Sequence, residues 1–169
     1  MKGFHILLGA IRELGKSGAK AGFILTSSYD RESLKLLRGL RDKYPNLEIN
    51  VVGKVRYSEL INLHKEAWAL VFPSILEEPL PYSVVGAMLM GTTPIASKVG
   101  GVPEITEGSP AEELLFAPNY LEELVKNMVI VTSMSPEQLV KLGFSLRNST
   151  LKRFSNDITS KELIRIFGM

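Results

Sequence analysis

Apolar positions along this chain follow two spacings that take turns. Phe4, Leu7, Leu8, Ile11 and Leu14 recur at i, i+3, i+4 and i+7, which predicts an amphipathic helix closed by Gly15 and Gly18. Residues 21–26 (AGFILT) form a short apolar run between turn signals and predict a buried strand. Leu34, Leu37, Leu40 and Tyr44 line a second helix, which Pro45 stops. Residues 47–52 (LEINVV) predict a second strand, closed by Gly53. Ser58 is placed to cap a third helix running through Trp68, and residues 69–72 (ALVF) predict a third strand, stopped by Pro73. A fourth helix starts near Tyr82 and ends at Gly91. Residues 93–96 (TPIA) follow as a strand weakened by Pro94. Residues 114–116 predict a short fifth strand.

The last third reads as helical. Asn119 with Glu122 has the spacing of a capping box before LEELVKNMVIV. Ser135-Pro136 is a serine cap with proline at the first helical position, and residues 158–167 predict the terminal helix. Alternation of this kind specifies an α/β fold: one Rossmann-like domain, a parallel sheet with helices on both faces. The chain opens on a helix where such folds open on a strand, so the first strand is expected to be missing.

Open parallel sheets bind ligands outside the carboxyl ends of their strands. The loop after the third strand, PSILEEPLP, feeds a helix with no Ser, Thr, Asp or Asn just before its start. Pro81 suits that start, because a missing N–H is no loss there. The amides of Tyr82, Ser83 and Val84 then have no obvious side-chain acceptor, and with the helix dipole they make a site for an anion such as phosphate. Water, or Glu78 folded back onto the tip, would satisfy the same amides. Glu77 and Glu78 would repel a phosphate unless a sugar lay between, whose hydroxyls an ionised carboxylate accepts; two solvated surface carboxylates are the plainer reading. The loop SKVGGVPE holds Gly100-Gly101, which permit positive φ and close backbone approach, as any tight turn also requires. The loop VGKVRYS offers backbone to a planar base.

Composition narrows the function classes. The chain has 169 residues, a formal net charge of +2 and no cysteine. That charge gives no argument for nucleic acid, and the missing thiols exclude disulfides and thiolate metal sites while fitting a cytoplasmic setting. His5 and His64 have no partner at metal-ligand spacing, so no metal is expected. Trp68 reads as core, and Met88 and Met90 as parts of a buried helix. A dinucleotide-binding protein is disfavoured by the absence of a Gly-rich fingerprint.

Taken together, PSILEEPLPYSVVGAMLMGTTPIASKVGGVPEI, residues 73–105, resembles the signature of the group-1 retaining glycosyltransferases: PS, E, seven residues, EAM, G-x-P, a hydrophobic strand and GG-x-x-E. Lys2-Gly3 is similar to that family's KG at the start of its first helix. ELINLHKEAWALVFPS resembles the stretch before the signature, and LKRFSNDITSKELIRIF the closing helix. The resemblance implies the C-terminal, donor-binding domain, residues 1–169, of an enzyme of GT-B fold. The acceptor-binding N-terminal domain is not in these residues and would be its partner. The donor would be a nucleotide-sugar bound without cofactor or metal, and any peripheral membrane association would pass through the other domain.

By the same resemblance, Lys2 and Glu78 are the catalytic residues. Lys2 steadies the donor phosphates, without the family's neighbouring Arg. Glu78 holds sugar hydroxyls. Leu80, Pro81, Tyr82 and Ser83 lie along the diphosphate, Gly53 and Val55 near the base, and Gly100 and Gly101 beside the sugar. The family's second Glu, which takes the ribose hydroxyls, falls on Gly86. A mid-helix glycine also costs roughly 1 kcal/mol relative to alanine, and close helix packing is its structural reading. Trp68 stands where the family has Asp. Both departures bear on catalysis, so a non-catalytic binding module, or a fragment needing a partner chain, stands beside the transferase reading. The missing strand is expected to leave two sheet edges that another segment, a second chain or a swap fills.

Overall fold

The computed structural model describes residues 3–168. Lys2 lies outside them. The elements run α1 (Phe4–Ser17), β1 (Ala21–Leu25), α2 (Arg31–Lys43), β2 (Leu47–Val51), α3 (Tyr57–Glu66), β3 (Ala69–Phe72), α4 (Tyr82–Met90), β4 (Thr93–Ser97), α5 (Val102–Thr106), a 3-10 turn (Pro110–Leu114), β5 (Leu115–Phe116), α6 (Leu121–Thr132), α7 (Pro136–Phe154) and α8 (Asn156–Phe167). All strand pairs are parallel. They form two sheets, β1-β2 and β3-β4-β5.

The period-2 alternation of strand side chains divides the core in two. Val71, Ile95 and Phe116 join one cluster with Ala10, Ile11 and Leu14 of α1, Leu37 of α2 and Leu124 of α6. Their chain neighbours Phe72, Ala96 and Leu115 face the other way, into a cluster with Val84 and Met88 of α4 and Leu146 of α7. Helices therefore cover β3–β5 on both faces. In β1-β2, Leu25, Leu47 and Ile49 are buried in the first cluster, while Gly22, Ile24, Glu48 and Asn50 on the opposite face are exposed.

Pro94 sits in the middle strand, where it should break a ladder, and the register explains why it does not. Thr93 N–H donates to Trp68 C=O on the β3 side and Lys98 N–H to Phe116 C=O on the β5 side. Successive residues alternate, so the nitrogen of Pro94 faces the β5 side. There β5 pairs only from Ala96 onward, and no partner is lost.

Several local expectations are corrected. The third helix starts two residues early, with Arg56 at the N-cap, because the Glu59 carboxylate accepts the Arg56 N–H at 2.8 Å; Ser58 lies inside the helix, which ends at Glu66. Trp68 is not core: it is 48% exposed. Asn119 takes φ 63° and its Oδ1 lies 3.1 Å from His5 Nε2. The cap of α6 is therefore Tyr120, and Glu123 rather than Glu122 reaches back, accepting the Ala117 N–H at 2.8 Å. The Ser135 cap is present, with Gln138 completing a capping box.

Candidate functional site

The loops after β2, β3 and β4 leave the carboxyl ends of parallel strands and so share one rim of the molecule. Two hydroxyls organise the middle of that rim. Ser74, buried, donates to Leu76 C=O at 3.3 Å and accepts its N–H at 3.2 Å, which curls the chain just beyond β3. Ser97, fully buried at the end of β4, donates to Phe72 C=O at 3.3 Å and also to Ser74 C=O. The start of PSILEEPLP is thereby fixed to the neighbouring strand.

The glycine pair fixes the other half. Gly100 N–H donates to the Glu77 carboxylate, and Gly101 N–H donates to Glu78 C=O at 2.9 Å. A Cβ on Gly100 would stand 2.1 Å from Glu78 O, and one on Gly101 2.0 Å from Pro79 O. Gly100 also has φ 51°. These glycines exist because two loop backbones touch. The pair of carboxylates separates accordingly: Glu77 is exposed and pins the Gly-Gly turn, whereas Glu78 is half-buried and held by its own backbone.

From Glu78 the chain passes through Pro79 and Leu80 into α4. Pro81 is the N-cap, and its carbonyl accepts from Val84 and Val85 at 2.9 and 3.4 Å. No side chain caps this end. Tyr82 is 79% exposed and Ser83 is exposed, and both stand in the first turn of α4, at the positive end of its dipole. Val84 N–H, expected to be open, is taken by Pro81 C=O. Gly86 is half-buried, and a Cβ there would meet nothing within 4 Å. Close packing therefore does not account for this glycine.

Gly53, at φ 72°, and Val55 are half-buried in the loop after β2, on the same rim. Sequence reasoning did not single out Lys98, an exposed cation directly after β4 in the loop that contacts Glu77 and Glu78. A basic residue immediately following a strand end was the available signal. Two hollows of about 360 and 530 Å³ lie near the amino ends of β3 and β4, around Trp68, Gly91, Val140 and Phe144. No His/Cys/Asp/Glu group able to hold a metal occurs among the described residues, and no described helix is long and apolar enough to cross a membrane.

The family described as glycosyl transferases group 1 matches residues 1–133. No curated protein matches the chain in sequence. Among solved structures, sucrose-phosphate synthase from Thermosynechococcus elongatus is similar over 98% of this chain and 41% of its own, with TM-score 0.70 and 23% identity. A glycosyltransferase from Rickettsia africae is similar over 98% and 44%, with TM-score 0.77 and 19% identity. The Anabaena protein HepE, solved with UDP and glucose, is similar over 99% and 45%, with TM-score 0.72 and 19% identity. These likenesses establish the fold, and the chain spans less than half the length of each of the three structures.

Proposed function

Because the chain belongs to the group 1 glycosyl transferases, we propose that it forms the nucleotide-sugar-binding half of a retaining glycosyltransferase. The observation that carries this reading is the uncapped amino end of α4, open at Tyr82 and Ser83, a short loop beyond a half-buried Glu78. The amides take the donor diphosphate, and Glu78 accepts hydrogen bonds from hydroxyls of the sugar beyond it. Leu80 and Pro81 shape the path of the diphosphate; Pro81 offers no N–H. Gly53 and Val55 lie against the base. Gly100 and Gly101 hold the Glu78 backbone where the sugar must sit. Lys2, outside the described residues, supplies a second positive group at the phosphates.

Transfer breaks the bond between the anomeric carbon and the diphosphate oxygen and forms one from that carbon to an acceptor hydroxyl oxygen, whose proton passes to the departing diphosphate. The negative charge that develops on the leaving diphosphate is what the α4 amides and Lys2 stabilise. This arrangement uses fixed dipoles and lysine and calls for no metal. The acceptor enters from the far side of the cleft, which an N-terminal domain or partner chain provides.

Calorimetric titration with UDP, GDP, ADP and their sugars tests the reading. Saturable binding of one nucleotide and its sugar is expected; no binding at millimolar concentration contradicts it. A second reading, a binding module without transfer activity, is favoured by Gly86, where the helix offers no ribose acceptor and nothing fills its place. Turnover in the presence of the acceptor-binding half separates the two.

A further inference from the structure

We propose that Glu77 is a positioning residue for the donor sugar: its carboxylate, latched to the Gly100 amide, holds the loop that carries Glu78 against a rigid turn. The proposal rests on the donor reading above. It adds the residue that sets affinity for the sugar apart from affinity for the diphosphate.

The two loops are anchored differently. Between Ser74 and Pro81, both buried, residues 75–80 include no buried side chain. Ile75, Leu76 and Leu80 are large apolar residues left exposed there. A stretch without buried contacts has little packing of its own to define it. The turn opposite is the reverse case. Val99 and Val102 are buried in the core cluster of α4 and α7, with Gly100 and Gly101 between them. Val102 N–H donates to Val99 C=O at 3.1 Å, and Ile105 N–H to Gly101 C=O at 3.0 Å.

Two hydrogen bonds tie the weakly anchored loop to that turn. One joins backbones, Gly101 N–H to Glu78 C=O at 2.9 Å. The other is donated by Gly100 N–H to the Glu77 carboxylate. A charged acceptor makes such a bond roughly twice as strong as a neutral one. The loop also lies directly on the turn, since a side chain on either glycine would strike Glu78 or Pro79.

The two bonds fall on consecutive residues of both segments. Together they fix the orientation of the peptide between Glu77 and Glu78, from which the Glu78 side chain departs. With the backbone bond alone, the loop is free to pivot about it. Glu77 thus acts through Glu78 and not on the sugar. The amino end of α4 stands apart from this latch, because Pro81 is buried and its carbonyl accepts from Val84 at 2.9 Å. Removing the latch should therefore reach the sugar and spare the diphosphate.

The test is calorimetry on this chain with UDP and UDP-glucose, GDP and GDP-mannose, and ADP and ADP-glucose. Glu77→Ala should weaken the sugar-nucleotide that binds roughly 10-fold and leave its nucleoside diphosphate within about 2-fold. Glu77 is exposed, so the truncation leaves the core intact. Glu77→Gln keeps an oxygen that accepts from Gly100, and should stay within about 3-fold of the unaltered chain. In a Glu78→Gln background, Glu77→Ala should add no more than about 2-fold, because both changes remove one function. Amide exchange at Gly100 should quicken at least about 10-fold in Glu77→Ala and not in Glu77→Gln. Equal losses for diphosphate and sugar-nucleotide would overturn the assignment, as would a Gln variant no better than Ala, effects that add to those of Glu78→Gln, or unchanged Gly100 exchange. If the unaltered chain binds none of the six probes, the donor reading itself fails and the assignment with it. If it binds them and the variants break the pattern, the Glu77 assignment alone fails.

Discussion

Gly86 and Gly101 are both half-buried or buried glycines on one rim, and they predict opposite substitutions. A methyl on Gly86 meets open space inside a regular helix, so Gly86→Ala should stabilise the fold by about 1 kcal/mol, raising Tm by roughly 2–4 °C in a thermal melt. A methyl on Gly101 would strike Pro79 O, and Gly101→Ala should cost about 1–3 kcal/mol and weaken donor binding along with it. Glu78→Gln should weaken a nucleotide-sugar roughly 10-fold while leaving the nucleoside diphosphate alone unchanged, as measured by calorimetry. His64 is half-buried, and burial lowers its pKa. The folded state therefore resists its protonation. Stability from this group is complete above about pH 6.5, its ordinary value, and declines as pH falls below it. His64→Gln should flatten that decline in melts recorded between pH 7 and 5. At this scale the Gly100-Gly101 pair was legible in the sequence as a turn with a positive φ. The division of labour between Glu77 and Glu78 was not, because it depends on which carboxylate a loop 23 residues away happens to meet.

Elements were read well wherever apolar spacing set them and less well at their ends. The stripe of α1 and the runs of β1 to β4 appear within a residue or so of their expected limits. Caps failed where a distant residue competed. Asn119 has the right spacing to cap α6, yet contact with His5 and a left-handed φ remove it. Trp68 was taken as core because large apolar residues usually are; it lies in the turn between α3 and β3, half-exposed beside the shallow hollow at the amino ends of the strands. The rim itself is held by Ser97, a polar residue on a fully buried strand whose hydroxyl answers two carbonyls of the neighbouring strand and loop. Ser97→Ala should leave a buried carbonyl unsatisfied, cost about 1–3 kcal/mol and loosen the loop that carries Glu78, seen as faster amide exchange at Leu76.

For the whole molecule, alternation of strand and helix was enough to specify a parallel α/β fold. The division of its strands into β1-β2 and β3-β4-β5 was not legible in the sequence, because strand pairing is set by packing between distant segments. Membership in the glycosyl transferases group 1 family and likeness in fold to part of longer structures agree with that parallel α/β architecture. The central claim is that the open end of α4 receives a diphosphate. Backbone amide NMR during titration with UDP, GDP or ADP tests it most directly. The account predicts that one of them shifts Tyr82 and Ser83 first and furthest, with the sugar-nucleotide adding a shift at Glu78. Shifts gathered instead around Trp68 and Phe144, or none at millimolar ligand, would contradict it.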